Sequence, residues 1–112
     1  MEATSPPRPP GRPGKRLTLL MHVHDHVGHA SLRHELFKRA RRTKVAGATA
    51  FEGDQGYGLS GHVHRGHLMT DDRPLALVIV DDPIKIDEFL ENIADLLDGL
   101  VATVDDIEIL DL

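Results

Sequence analysis

The 112-residue sequence predicts a single α+β domain with the element order β-α-β-β-α-β. Two segments with helical periodicity are each flanked on both sides by short apolar runs typical of strands. A glycine-rich polar segment, residues 53–73, separates the two β-α-β halves. This order is typical of the ferredoxin-like sandwich, in which a four-stranded antiparallel sheet carries two helices on one face. The length suits one domain.

The N-terminal segment is rich in proline and basic residues and has few apolar side chains, with prolines at positions 6, 7, 9, 10 and 13. Such a composition cannot offset the entropy of ordering the chain. We therefore expect residues 1–15 to form a disordered basic tail and residues 16–112 to form the folded domain.

In the first half of the domain, the spacing of the apolar residues changes twice. Residues 17–23 form a compact apolar run and predict the first strand. From Ala30 the apolar positions Leu32, Leu36, Phe37 and Ala40 fall at helical spacing, and this helix should end at Thr43 or Lys44. Residues 48–52 predict the second strand.

The second half begins after the polar segment 53–73, which predicts a long flexible loop. Residues 75–80 are almost all apolar and predict a strand covered on both faces. The sequence Asp81-Asp82-Pro83 predicts a helix start with an acidic cap, and Gly99 predicts its end. The apolar stripe of this second helix comprises Ile86, Phe89, Leu90, Ile93 and Leu97. The last strand should lie within residues 101–110.

Charge is distributed unevenly along a chain whose net charge is −5. Residues 33–44 contain six basic side chains and one acid, whereas residues 71–112 contain thirteen acids and two basic side chains. We interpret the basic segment as a helix face beside an acidic helix, and we expect no nucleic-acid partner. The absence of cysteine, of a signal-peptide core and of an apolar run of about 18 residues predicts a cytoplasmic protein.

The glycines of the 53–73 segment include a Gly-x-Gly-x-x-Gly run at residues 56–61. A dinucleotide fingerprint must open a helix directly after a strand, and residues 62–66 have no helical stripe. The Gly-Lys-Ser/Thr of a phosphate-binding P-loop is also missing. Two interpretations stay open: backbone amides that receive a phosphate or carboxylate ligand, or a hinge that binds nothing.

Eight histidines are an excess for this length, and several follow a His-x-His spacing. His22, His24 and His26 alternate at the end of the first strand and would project from one face. His62 and His64 repeat the spacing in the glycine-rich segment. Such pairs can chelate zinc or copper, and the alternative is a set of surface histidines without metal.

Catalytic arrangements find little support in the sequence. Ser31 and Ser60 are the serines that follow the tail, and neither lies in a Gly-x-Ser-x-Gly context. The adjacent acids at 71–72 and 81–82 are typical of turns and helix caps. We therefore expect a protein that is not an enzyme.

The glycine-rich segment resembles one known family closely. Residues 46–53, followed by Gly56-Tyr57-Gly58-Leu59-Ser60-Gly61 and His64, are similar to the Gly-Ala-Thr, Gly-Tyr-Gly-x-Ser-Gly and Ile-His sequences of an uncharacterised PII-like family, related to the PII signalling proteins. Residues 16–19, 75–81 and 99–109 are similar to it as well. One departure is the linker Asp98-Gly99-Leu100, which stands where PII proteins carry a basic, glycine-rich phosphate-binding loop.

This resemblance implies a homotrimer with its uncovered sheet faces inside and its ligand sites in the clefts between subunits. The ligand would be a small anion or a nucleotide-like molecule, and a membrane transporter or an enzyme would be regulated through the 53–73 loop. The residues expected to contact the ligand are Gly56, Tyr57, Gly58, Ser60, Gly61, His62 and His64. The alternative is a divalent-metal-binding trimer resembling the copper-tolerance proteins, with His22, His24 and His26 as metal ligands.

Overall fold

A computed structural model describes residues 7–57 and 73–111 of the chain. Its helices and strands follow in the order β1 (Gly11–His22), β2 (His26–Val27), β3 (Ala30–Ser31), α1 (Leu32–Thr43), β4 (Ala48–Glu52), β5 (Pro74–Asp81), α2 (Pro83–Asn92), a 3₁₀ turn (Ala94–Leu96) and β6 (Val101–Leu110).

The main sheet has the strand order β4-β5-β1-β6, and each neighbouring pair is antiparallel. With α1 and α2 packed on one face, this is the predicted ferredoxin-like β-α-β-β-α-β fold, which is confirmed. The short β2–β3 hairpin between β1 and α1 was not predicted. Its turn contains Gly28 with φ +60°, a conformation that a glycine adopts without steric cost.

The core lies between the sheet and the helices and is built from alternate residues of the two central strands. In the fully buried set, β1 and β5 supply Leu17, Leu19, Met21, Leu75, Leu77 and Ile79, and the helical layer supplies Leu36, Ile86, Phe89 and Ile93. The second-helix stripe was predicted to include Leu97. The chain instead leaves the α-helix at Asn92, and the 3₁₀ turn places Leu96 in the core.

The other face of the sheet has no covering layer among the described residues. One row of side chains crosses all four strands there, because Phe51 is paired with Ala76, Ala76 with Leu20, and Leu20 with Val101. Phe51 is 57% exposed and Val101 is 37% exposed. We call this row and the neighbouring Val78 and Val80 the uncovered face. An apolar surface of this kind is typical of a binding interface.

β1 begins earlier than predicted, so the expected boundary at residue 16 is wrong for residues 11–15. Gly11–Lys15 pair with the C-terminal half of β6, and Gly14 is buried. β5 pairs with β1 only from Lys15 onward, so among the described strands Pro13 pairs with β6 alone. A proline is tolerated at such an edge position of a sheet. Arg8 also pairs with Glu108 at 2.8 Å. The tail residues 1–6 lie outside the described residues.

The predicted complementarity between the two helices is realised by Arg39. Its guanidinium donates to Glu35 at 3.0 Å, to the Asn92 carbonyl at 2.9 Å and to Asp95. These hydrogen bonds lower the pKa of Asp95 and raise that of Arg39. Glu35 also has a lowered pKa, caused first by Lys38 and then by Arg39.

α2 begins as predicted after Asp82, with Pro83 as its first residue. The Asp82 side chain does not hydrogen-bond to the helix, however, and its carboxylate accepts from Arg12 instead.

No helix in the part of the chain that the structure describes combines the length and apolar character needed to cross a membrane.

Candidate functional site

The end of β1 and the start of α1 are held together by one turn. The Asp25 carboxylate accepts from the His22 amide at 3.0 Å, and the Asp25 amide donates to the His22 carbonyl at 3.1 Å. The Leu32 amide then donates to the Asp25 carbonyl at 2.9 Å. Ser31 caps α1 by accepting from the His34 amide at 3.3 Å. Asp25 therefore fixes the position at which α1 begins, directly beside the end of β1.

Both ends of the glycine-rich segment lie next to this turn. The Gly53 amide donates to the Pro74 carbonyl at 2.7 Å, and the Val23 amide donates to the Arg73 carbonyl at 3.0 Å. A Cβ atom on residue 53 would lie 2.7 Å from Pro74 Cγ, so only glycine allows this close approach. We call Glu52, Gly53, Arg73 and Pro74 the loop root.

A charged cluster joins the loop root to α1. Glu52 accepts from Arg33 of α1 and from Arg73, each at 2.8 Å. All three side chains are partly exposed, at 36%, 35% and 44% respectively. The hydrogen bond from Arg33, followed by the charges of Arg73 and Arg33, lowers the pKa of Glu52. Two guanidinium groups therefore lie beside one carboxylate at this surface, and guanidinium groups are well suited to bind small oxyanions.

Replacing Arg33 by methionine is expected to raise the pKa of Glu52 toward its ordinary value of 4.5. The folded pKa of Glu52 is depressed, so its contribution to stability is complete above about pH 4.5 and is lost as the pH falls through the folded pKa. Carboxyl-carbon NMR titration of the two proteins measures this change. Arg8→Met, which removes a different surface arginine–glutamate pair, should leave the Glu52 titration unchanged. An unaltered Glu52 pKa in Arg33→Met would contradict the contact.

The predicted ligand residues are only partly covered by the described chain. Gly56 lies against Pro74, since a Cβ atom there would approach Pro74 Cγ to 3.1 Å. Tyr57 is 94% exposed. Both therefore follow the loop root and face solvent. The other predicted contacts, Gly58, Ser60, Gly61, His62 and His64, lie outside the described residues, and their role stays a prediction.

The structure describes all three of the histidines predicted as metal ligands. β1 ends at His22, His24 lies in the Asp25 turn, and His26 begins β2. His24 and His26 therefore lie past the end of β1, because the Asp25 hydrogen bonds turn the chain after Val23. Within residues 7–57 and 73–111, no three His, Asp or Glu side chains are grouped as metal ligands. A zinc or copper site stays a prediction without support from this geometry.

The linker that follows the 3₁₀ turn lines a cleft of about 200 Å³ opposite the β2–β3 hairpin. The cleft is lined by Asp25, His26, Val27, Leu32, Asp95, Leu96, Asp98, Gly99 and Leu100. Three of these side chains are carboxylates, which disfavour a phosphate. This agrees with the departure seen in the sequence at residues 98–100. The loop root, with the guanidinium groups of Arg33 and Arg73 beside it, is a better chemical match to an oxyanion than this acidic cleft.

Comparisons with known proteins agree with this fold. Residues 14–109 match the model of the DUF190 family, described as "Uncharacterized ACR". A UPF0166 protein of Aquifex aeolicus (strain VF5) is 33% identical over 77 residues, which cover 67% of this chain and 72% of that protein.

Two solved structures share the whole architecture. The CPII protein of Thiomonas intermedia K12, bound to ADP and bicarbonate, superposes with a TM-score of 0.65 at 22% identity, covering 91% of this chain and 93% of that chain. A protein of Thermus thermophilus, proposed to be a PII-like signalling protein, superposes with a TM-score of 0.60 at 16% identity, covering 88% and 90% of the two chains. The fold is therefore PII-like.

Proposed function

The chain belongs to the DUF190 family, and from this membership and the geometry of the loop root we propose that it is a PII-like regulatory protein that senses a small anionic or nucleotide-like ligand. The ligand binds beside the loop root, in the cleft between two subunits of a homotrimer. The observation that carries the proposal is the Arg33–Glu52–Arg73 cluster. It places two cationic side chains at the ends of the segment that carries the family-like glycine motif.

The ligand class follows from the chemistry of this cluster. Guanidinium groups form paired hydrogen bonds with carboxylates, phosphates and bicarbonate, all of which are planar or tetrahedral oxyanions. The CPII structures with the same fold are bound to ADP and bicarbonate and to ADP, AMP and acetate. Together these observations favour a nucleotide or a small carboxylate-like anion for this chain.

The trimer is supported by the uncovered face. A sheet with helices on one side leaves its apolar row exposed in a single subunit, and association of copies would remove this row from water. Three copies joined in this way would bring each loop root close to a neighbouring subunit. Ligand binding there acts through the 53–73 segment to present or hide a surface for a regulated transporter or enzyme. This mode of action is regulatory, requires no catalytic group and fits a cytoplasmic protein.

The test is a titration of the full chain with ADP, AMP and sodium bicarbonate, followed by calorimetry and by thermal unfolding. A ligand at about 100 times its Kd raises the free energy of unfolding by about 2.7 kcal/mol, which moves the melting temperature by several degrees. Arg33→Met and Arg73→Met should each weaken binding about tenfold or more, because a charge-assisted hydrogen bond is lost.

The matched control is Arg8→Met, which removes an exposed arginine paired with Glu108 at 2.8 Å, on a different strand. Its affinity should stay within about twofold of the unaltered protein. Unmoved melting temperatures with all three ligands would overturn the sensor proposal. Equal losses in the three variants would show that only net charge matters and would remove the loop root from the site.

A further inference from the structure

The outer surface of α1 and its C-terminal cap carry positive charge that the described residues do not neutralise. Of its basic side chains, Arg33 is paired with Glu52, Lys38 with Glu35, and Arg39 with Glu35 and Asp95. Arg41, Arg42 and Lys44 are exposed and form no ion pair with any residue in the described ranges 7–57 and 73–111. On a chain with a net charge of −5, three such cations within four consecutive residues form a local concentration of positive charge.

Next to these cations, two shallow hollows follow the length of α1. The first, of about 670 Å³, is lined by Ala30, Ser31, Arg33, His34, Phe37 and Arg41. The second, of about 290 Å³, is lined by Phe37, Ala40, Arg41, Val45, Ala46, Gly47 and Ala48. They share Phe37 and Arg41 and therefore form one groove. Phe37 packs against the core but stays partly exposed, so the groove has an apolar centre beside a cationic rim.

We propose that this groove, which is lined by Arg41 and has the exposed Arg42 and Lys44 next to Arg41 along the chain, docks an acidic peptide segment of a partner protein. Carboxylates of the segment pair with the three cations, and an apolar side chain of the segment packs on Phe37. The interface thus has the apolar centre and charged rim common in protein recognition. We call it the α1 groove.

The geometry favours a peptide over the other anionic partners. A membrane-binding helix presents apolar side chains between its basic ones, whereas the apolar stripe of α1, Leu32, Leu36 and Ala40, is buried in the core. Nucleic-acid surfaces combine a longer row of cations with several aromatic side chains. The described lining of the α1 groove has one phenyl ring and the cations Arg33 and Arg41, with Arg42 and Lys44 exposed nearby along the chain.

Among the described residues, the α1 groove shares Arg33 with the proposed ligand site, since Arg33 lines the first hollow and pairs with Glu52 at 2.8 Å. The variants that test the groove change Arg41 and Arg42, which are not part of the ligand site. The groove is separate from the proposed trimer contact. α1 lies on the opposite side of the sheet from the uncovered face, so association through that face leaves the groove open. This proposal depends on the proposed regulatory function in one respect, which is that the protein has a partner to regulate. Peptide binding by the groove is therefore tested without any nucleotide or anion ligand.

The experiment measures fluorescence anisotropy of a labelled synthetic peptide of about ten residues, made of aspartate and glutamate around a central phenylalanine, during titration with the full chain. The double variant Arg41→Glu/Arg42→Glu should lose about tenfold or more in affinity, because two attractions become repulsions. Both side chains are exposed, so the fold is retained. Replacing the central phenylalanine of the peptide by serine should weaken binding severalfold.

The matched control, Arg8→Glu/Arg12→Glu, changes the net charge by the same amount in and just before β1, at residues that do not line the groove. It should change the affinity less than about threefold once salt is raised to about 0.15 M, where the Debye length is near 8 Å. Equal losses in the two double variants would overturn the proposal. The proposal would also be overturned if single-stranded DNA of equal charge, or phosphatidylserine vesicles, bound more tightly than the peptide and if Arg41→Glu/Arg42→Glu abolished that binding.

Discussion

Replacing Phe89 by alanine is expected to lower the free energy of unfolding by about 3–5 kcal/mol, the largest loss we predict for a single side chain. Phe89 is completely buried and is the largest of the fully buried side chains. It lies on the inner face of α2 within the single hydrophobic cluster formed with β1 and β5. A chain with no tryptophan and three phenylalanines has few other large side chains with which to fill the cavity.

Urea unfolding at a fixed subunit concentration measures this loss. The matched control is Ile84→Ala on the same helix, where the side chain is 73% exposed, and the expected change is within about 0.5 kcal/mol. If Phe89→Ala does not fold, Phe89→Leu keeps the test open with an expected loss of about 1 kcal/mol. Equal effects at positions 84 and 89 would contradict the packing of α2 on the sheet.

The elements that could be predicted from the sequence are those whose pattern is local. β4 was predicted at residues 48–52 and β6 within residues 101–110, and both have these bounds. α1 was predicted from its apolar spacing and begins two residues later, at Leu32, because the β2–β3 hairpin and the Ser31 cap occupy the preceding residues. Each of these segments has enough periodic residues to fix its type without distant contacts.

The start of β1 could not be predicted, because it depends on a distant strand. Gly11–Lys15 have no strand periodicity and include Pro13, yet β6 offers them a pairing partner about ninety residues later in the chain. The end of α2 was missed for a similar reason. The apolar stripe of the predicted second helix continues at helical spacing through Leu97, but the chain forms a 3₁₀ turn in which Leu96 is buried.

The sequence drew attention to the glycines of the candidate site but not to its charged residues. The sequence singled out residues 56–64 and the histidines, whereas the described contacts centre on Arg33, Glu52 and Arg73. A usable signal existed, since Glu52 directly precedes the predicted loop, Arg73 is its last residue, and the two carry opposite charges. Arg33 could not be added from the sequence, because its approach to Glu52 depends on how α1 crosses the sheet.

Replacing Leu20 by arginine is expected to convert the proposed trimer into single subunits that keep their fold. Leu20 lies on β1 at the centre of the uncovered face, between Ala76 of β5 and Val101 of β6. Its side chain points away from the core, so a longer and charged side chain is accommodated in an isolated subunit. In the trimer, each copy would bury an unpaired guanidinium, and an unpaired buried charge costs several kcal/mol.

Sedimentation velocity over a dilution series measures this conversion, and far-UV circular dichroism checks that the fold is retained. Phe51→Arg, on β4 in the same row, should have the same effect from a second position, since Phe51 is 57% exposed in the subunit. Ile84→Arg introduces the same charge at an exposed apolar residue of α2 and should remain assembled. If Leu20→Arg and Phe51→Arg sediment like the unaltered protein, copies do not meet through this face. In that case the ligand cannot lie between subunits joined there, whereas peptide binding by the α1 groove would be unaffected, because that groove is formed within one chain.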